Sequence, residues 1–503
     1  MKQDNDIDRE EVPVGEPLAD APDEAAAGEV GNLKRQAVNS VLWRIFETGG
    51  RQVIFFIISV VLARLILPES YGTVAMLTIF TTVANAFIDS GFSTALIRKT
   101  DRTQTDCSTV FWFNILVALL CYAILFLSAP LIARFYDMPV LTPVLRVSAI
   151  SLVIGSIAGV QRALLTAELR FKLLAKLNIA GLLLSGAAGI LLAYLDFQVW
   201  ALVWNGIIGT TVSTILIWIY GKWRPTLEFS RQSFKEFFSF GSKLLASGLL
   251  DTVYNNISGI IIGKVYRARD LAFYNRAQSL GDLTSAMPTG VLQSVTFPTL
   301  CKIQHDDRLL ADGYRRMIRL SCFIIFPLTL GLGAVAYPLI NVLLTSRWLP
   351  AAALLQILAF SKMTYPFHAI NLNLLEVKGR SDLFFRLEVI KKIMGVSMLF
   401  ITVPYGVEAM IWGGLVTSVI CMVLNSYYTG KLINYGFIKQ LKDIFWIFLL
   451  ASAMYAAVKM LTIWMGNGIW SLTAGILLGV AIYGAGAYLF RMPELAELRR
   501  LRK

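Results

Sequence analysis

The sequence predicts an all-α polytopic membrane protein: about fourteen transmembrane helices, arranged as two six-helix lobes with an appended C-terminal pair. Three observations carry this. Of 503 residues, 56% are hydrophobic, only 16% are charged and the mean hydropathy is +0.63, whereas soluble domains hold about a quarter charged residues. Apolar runs long enough to span a bilayer recur from about residue 40 to residue 490. Basic residues alternate between crowded and sparse gaps along those runs. Together they exclude an ordinary soluble enzyme, a disordered protein and a secreted disulfide scaffold.

The elements follow in order. Residues 1–36 read as an acidic, disordered cytoplasmic tail, because residues 1–30 hold ten acidic and two basic side chains, three prolines and no aromatic. Such a tail is either simply solvated, repels anionic headgroups or meets a basic partner. No cleavable signal peptide is visible, so the first helix directs insertion. Predicted spans lie near 40–66, 71–97, 107–133, 141–165, 172–194, 199–221, 237–263, 271–298, 315–343, 350–376, 383–404, 407–432, 443–464 and 468–490. Polar residues interrupt the eighth and the tenth. The N-lobe is residues 37–221, a cytoplasmic loop covers 222–236, and the C-lobe is 237–432. The appended pair is 433–490, followed by a basic cytoplasmic tail at 491–503.

With the N-terminus inside, the inside flanks hold 32 basic residues and the outside gaps six: Arg134, Lys264, Arg267, Arg269, Arg347 and Lys459. This asymmetry places both termini in the cytoplasm. The five cysteines form no CxxC pair and read as packing residues, and no metal or cofactor motif appears.

An internal repeat underlies the two lobes. LARLILPESYGTVAM, from Leu62 to Met76, matches IGKVYRARDLAFYNR, from Ile262 to Arg276, at an offset of 200. Each has a small residue, then a basic one, then a short loop with an acidic residue. Transporters are often built from such repeats around a central cavity.

Ionisable side chains inside a span mark partners or water. Arg44, Glu47 and Arg51 share one face of the first helix, with Arg51 about 15–20 Å from the helix start. They are either a cationic, partly neutralised cavity wall suited to gripping pyrophosphate, or an internal salt bridge. Asp251 lies 200 residues after Arg51 and shares a helix with Tyr254, Asn255, Asn256 and Ser258, which offer sugar-binding donors and acceptors or a polar interhelical contact. Asp251 is also a candidate for a coupling ion. Asp89, Arg146, Arg276, Asp282, Lys362, His368 and Asn371 complete the set of cavity candidates. His368 either titrates near neutral pH or is a packed donor. Pro288, Pro298, Pro327, Pro338 and Pro366 punctuate the second lobe as kinks. Gly155–Gly159 and Gly475–Gly479 read as helix-packing pairs.

The first repeat copy, followed by FIDSGFSTALIRK, resembles the polysaccharide-exporter branch of the multidrug/oligosaccharidyl-lipid/polysaccharide (MOP) flippase superfamily. The second copy, IGKVYRARDLAFYNRAQSL with FPTLCKIQHDD after it, is similar to that family's matching half. The nearest branch holds WzxC-like colanic acid exporters and teichuronic acid transporters, and the resemblance covers roughly residues 38–490. It implies a flippase of the bacterial inner membrane that uses no cofactor. The implied substrate is an oligosaccharide on polyprenyl pyrophosphate, moved from the cytoplasmic to the periplasmic leaflet by alternating access. Membrane lipids and polysaccharide polymerase or assembly proteins are the implied partners; nucleic acid is not. A multidrug/cation antiporter and a lipid II flippase of the same superfamily remain alternatives. A membrane glycosyltransferase or polymerase is the alternative from another class, weakened by the short outside loops.

Overall fold

The computed structural model describes residues 50–89 and 91–501, which are helical with short connections and contain no strand. Arg44 and Glu47 lie outside the described residues. The first half holds α1 (50–65), α2 (Pro68–Asp89), α3 (Phe92–Arg98), α4 (Gln104–Phe135), α5 (Leu141–Ser148), α6 (Ile150–Ile157), α7 (Gly159–Ala167), α8 (Phe171–Tyr194) and α9 (Val199–Tyr220). The second half holds α10 (Arg231–Val265), α11 (Ala268–Thr284), α12 (Ala286–Lys302), α13 (Asp307–Ala334), α14 (Ala336–Leu344), α15 (Pro350–Met363), α16 (Tyr365–Val377), α17 (Ser381–Thr402) and α18 (Val407–Ile433). The chain ends with α19 (Phe437–Met465), α20 (Ile469–Leu489) and α21 (Pro493–Leu501).

Among the described residues, eight helices are long and apolar enough to cross a membrane: α2 with α3, α4, α8, α9, α13, α18, α19 and α20. The α5–α7 segment, bent by 43° at Ala158, is a ninth candidate span. The protein is therefore a multi-pass membrane protein. Of the other predicted runs, that near 40–66 includes α1 and lies partly outside the described residues, and four coincide with α10, α11–α12, α15–α16 and α17, which are interrupted by charges or breaks. Apolar side chains cover the outer surface, as at Leu116, Leu120, Leu127 and Leu131 of α4. Water would oppose such a belt and lipid accepts it, provided the backbone bonds are closed within each helix.

The helix breaks follow from proline chemistry. A proline cannot donate to the carbonyl four residues back, and its ring crowds that carbonyl. Four residues before Pro288 is Thr284, where α11 ends; four before Pro338 is Ala334, where α13 ends. Pro366 sits in the first turn of α16, just beyond the end of α15. Pro298 and Pro327 instead stay inside α12 and α13. The α5–α7 bend has no proline at its breaks. There the hydroxyls of Ser148, Ser151 and Ser156 bond carbonyls three residues back, at 3.2, 2.7 and 2.8 Å, which competes with the helical ladder.

Caps set other boundaries. Thr103 and Asp106 form a reciprocal capping box at the start of α4. Ser230 caps α10, which therefore begins within the predicted 222–236 loop. Its first turns pack on the first half, where Phe237 is buried with Phe92 and Phe111. Gly91, at φ +71°, turns the chain between α2 and α3 and lies against Gly241 of α10; both the angle and the closeness require glycine. The predicted basic tail contains α21, tied to α13 by Arg319–Glu494 and Arg316–Glu497 ion pairs.

The 200-residue repeat appears in the backbone. Residues 61–65 and 261–265 are helical, 66–67 and 266–267 are a two-residue break, and 68 and 268 restart the helix. The two restarted helices, α2 and α11, cross in contact at Gly72. A Cβ there would lie 1.7 Å from the Ala268 carbonyl oxygen. In the second half α13 is central and two-thirds buried. It carries Tyr314, Phe326 and Leu330 into a core shared with Ile447, Met454 and Val458 of α19. Gly475 and Gly479 of α20 lie against Val458, so this pair does serve close packing.

Gly72→Leu is expected to force α2 from α11. Spin labels at Glu69 and Arg269, which now pair at 3.7 Å, should then separate when measured by double electron–electron resonance. An unchanged distance distribution would show that the crossing has slack.

Candidate functional site

Five helices that are not plain apolar spans surround a polar cavity. About 410 Å³ of space is lined from α10, α11, α15, α16, α17 and α18, and only α18 of these is a plain apolar span. Three lysines border it, each with its own carboxylate. Lys362 pairs with Asp282 of α11, Lys392 with Asp251 of α10, and Lys391 with Glu388 one turn away on α17. Pairing lowers the cost of holding charge within a membrane. It also makes the wall close to neutral, with three cations and three anions within reach of one another. Gly395 on α17 makes room for Tyr254, whose Oη lies 2.4 Å from where a Cβ would stand.

His368 closes one side. Its Nε2 lies 2.8 Å from Ser418 Oγ, and its Nδ1 lies 3.1 Å from the Asn425 amide nitrogen. With Asn425 donating, Nδ1 accepts and the neutral ring donates from Nε2 to Ser418. Ser418 is also 2.6 Å from Thr364 Oγ1, at the α15–α16 break. The break thus presents a polar residue to the cavity while a hydroxyl relay ties it to α18.

A second group of contacts joins the two halves at one end. Arg64 of α1 donates to the Leu343 carbonyl at 2.8 Å and to that of Val342. Trp348 Nε1 donates to Ala63 O at 2.8 Å. Arg276 donates to Ser59 Oγ at 2.8 Å, its guanidinium 5.2 Å from the ring centroids of both Tyr71 and Trp348. Lys264 pairs with Asp137 at 2.9 Å. These contacts gather where α1, α4, α10 and α14 end, so this end of the molecule is closed.

The sequence candidates therefore divide. Asn255, Lys362 and His368 line the 410 Å³ cavity. Asp251 and Asp282 hold its lysines. Arg276 belongs to the closed end. Asn256 turns back to the Thr252 carbonyl of its own helix, at 2.8 Å. Arg146 donates to Phe126 O at 3.2 Å and stacks on that ring at 4.2 Å, within the first half. Asn371 is buried in a network with Gln440 and Thr429 that joins α16, α18 and α19. Arg51 is exposed and makes no ion pair with a described residue. Asp89 lines a separate cavity in the first half. Glu388, Lys391 and Lys392 were not among the candidates, because they count as flanking charges of a cytoplasmic loop. Their depth was the available signal: Lys391 lies about 12 Å beyond the predicted span start at 383, at 1.5 Å per residue.

Comparison with known proteins adds to this geometry. A family model described as "Polysaccharide biosynthesis protein" matches residues 61–353. The chain is 27% identical over 414 residues to the teichuronic acid biosynthesis protein TuaB of Bacillus subtilis, covering 82% of this chain and 85% of that protein. It is 24% identical to the succinoglycan biosynthesis transport protein ExoT of Rhizobium meliloti, covering 93% and 95%. It is 23% identical to the lipopolysaccharide biosynthesis protein WzxC of Escherichia coli, covering 74% and 76%. Among solved structures, the lipid II flippase MurJ in an inward closed conformation matches with a TM-score of 0.71 at 16% identity, over 90% of this chain and 98% of that one. An inward-facing multidrug resistance MATE transporter matches with a TM-score of 0.60 at 16% identity, over 76% and 95%. At such identities the structures establish the fold. The chain belongs to the polysaccharide biosynthesis protein family, a family of membrane exporters with the MOP superfamily fold, and is a transporter, not an enzyme.

Proposed function

We propose that this chain is a flippase for polyprenyl-pyrophosphate-linked oligosaccharide repeat units, carrying them from the cytoplasmic to the periplasmic leaflet by alternating access. In this reading fourteen segments cross the membrane. An N-lobe (37–221) and a C-lobe (237–432) face each other, residues 433–490 form the appended pair, and both termini are cytoplasmic. One observation carries it: the two halves are clasped at the end whose loops hold few basic residues, the outside end by charge asymmetry. A carrier waiting for a cytoplasmic substrate is shut there. The relatives support the substrate class, since their names concern teichuronic acid, succinoglycan and lipopolysaccharide. The polar C-lobe cavity suits a sugar headgroup, and its lysines, on long flexible stems, can exchange a carboxylate for a pyrophosphate oxygen. Arg51 would meet the pyrophosphate from the N-lobe. Assembly partners would take the unit at the outer leaflet.

Depleting the protein in its host tests this directly. The lipid-linked pool should build up in the cytoplasmic leaflet while surface polymer falls. An unchanged pool with lost efflux of a small organic cation would favour an antiporter instead. Arg51→Ala should lower polymer export about tenfold, the loss expected for one charge-assisted bidentate contact, at near-normal membrane abundance; Lys should rescue it in part. Collapsed abundance would make Arg51 structural. Lys362→Met should lower the unfolding temperature in detergent by stranding Asp282, and Asp282→Leu on that background should restore stability without restoring export. Restored export would remove the pair from the transport path.

A further inference from the structure

The segment between α9 and α10, residues 221–230, has no regular structure, yet it is stitched along the first half. Five residues on one face of α4 take up its polar groups. Gln104 donates to the Arg224 carbonyl at 2.6 Å, and Trp112 Nε1 to that of Thr226 at 2.8 Å. The Thr226 and Ser230 backbone N–H groups donate to Ser108 Oγ and Thr109 Oγ1, each at 3.0 Å. Thr105 donates to the Glu228 carboxylate at 2.6 Å. The first turns of α10 continue this strap and bury Phe237 and Gly241 on its inner side.

What the strap turns outward is apolar and basic. Leu227 is 91% exposed, Phe229 54% and Phe238 49%. The Phe229, Phe234 and Phe238 rings form a row, with successive centroids 6.0 and 5.5 Å apart. Arg231 and Lys235, at i and i+4, share a face of α10 with Phe238 at i+7. Both are exposed, as is Lys222 at the other end of the strap, and none of the three makes an ion pair or hydrogen bond with a described residue. Residues 221–238 hold four basic and two acidic side chains, a net of +2. Both acids have partners, Glu228 in Thr105 and Glu236 in Lys99 at 3.1 Å.

This mixture selects its surroundings. Water accepts the cations but opposes Leu227 and the phenylalanine row; hydrocarbon accepts the rings but not the cations. The boundary between headgroups and acyl chains accepts both. The depth agrees: Trp112, Trp218 and Trp223 gather around Phe111 at the strap, with centroids 5.2, 6.2 and 5.7 Å from it, and indoles concentrate at headgroup level. The positive balance favours a lipid whose phosphate is not neutralised by its own headgroup.

We infer that this inter-lobe strap docks on anionic phospholipid of the cytoplasmic leaflet. Leu227, Phe229 and Phe238 enter the headgroup boundary, and Lys222, Arg231 and Lys235 hold lipid phosphates. This rests on the cytoplasmic orientation in the carrier reading above and adds a regulator to it. The strap opens α10, and α10 carries Asn255 to the C-lobe cavity, so the lipid grips one end of the helix that joins the halves.

The test uses the full chain in nanodiscs of phosphatidylcholine, with and without phosphatidylglycerol. A spin label on Leu227→Cys, measured against the parent chain, reads depth through its relaxation by oxygen and by a water-soluble nickel chelate. Oxygen should dominate when phosphatidylglycerol is present. Native mass spectrometry should find phosphatidylglycerol retained over phosphatidylcholine. Lys222→Gln with Arg231→Gln and Lys235→Gln should cut that preference at least about fivefold, the weight of one basic residue at an anionic surface, and move the label towards the nickel chelate. The melting temperature in neutral discs should match the parent, since the three side chains make no described contact. Arg134→Gln with Arg347→Gln, exposed cations of the opposite end, should leave the preference unchanged. An equal loss in that control shows general charge attraction and overturns the site. A label that stays open to nickel in both discs also overturns it and leaves the strap to a protein partner. Neither readout involves transport, so these failures leave the carrier standing. In cells, a cysteine at 227 that an impermeant maleimide reaches from outside would overturn the orientation, and with it the carrier's direction and the leaflet assigned here.

Discussion

Hydrocarbon offers no hydrogen bonds and poorly tolerates charge, and the rest of this structure answers that constraint. Backbone groups are closed by making the described chain helical. Side-chain charges are then sorted. Those that flank the spans reach water, and those around the C-lobe cavity are gathered in the interior with partners. The three lysine–carboxylate pairs around the C-lobe cavity show the sorting most clearly. Each joins α17 or α15 to a neighbour or to its own helix, so the charges that mark the cavity also hold its walls.

The same constraint shapes several helices of the C-lobe cavity. Helices such as α8 and α20 are continuous and apolar, whereas α11 breaks before α12 and α15 before α16. A break frees backbone carbonyls, which hydrocarbon penalises, so breaks belong beside protein or water. At the α15–α16 break, Thr364 meets Ser418 and His368, and a polar wall replaces a continuous ladder. Proline supplies the break, and the serines of α5–α7 bring about a similar bend on the other side of the molecule beside the separate cavity of the first half.

The closed end depends on the repeated helix–break–helix unit. In both copies two residues separate the helices, and the restarted helices α2 and α11 cross at Gly72 with no room for a side chain. Around that crossing, Arg64, Arg276 and Trp348 reach from one half to carbonyl, hydroxyl and aromatic partners of the other. They sit within apolar clusters shared by both halves, where Phe56, Ala63 and Tyr71 pack with Phe273 and Trp348, so this end is held by burial as well as by polar contacts.

The sequence by itself determined the class of protein and the positions of its most apolar helices. Both rest on a local quantity, hydropathy over about 20 residues. The 200-residue repeat was legible for the same reason, since Leu62–Met76 and Ile262–Arg276 carry the same local break. The tertiary structure decided which charges meet. Lys391, Lys392 and Arg162 read as loop flanks because linear position cannot tell a charge facing cytoplasm from one turned inward over a turn or two of helix. Asn371 read as a cavity residue because its amide looks the same in a chain whether it faces water or Gln440. Asp89 and Arg162 are 73 residues apart, and only the packing of α2, α4 and α7 brings them to one cavity of the first half. Burial and pairing are properties of neighbours from distant segments, so they come into existence with the fold.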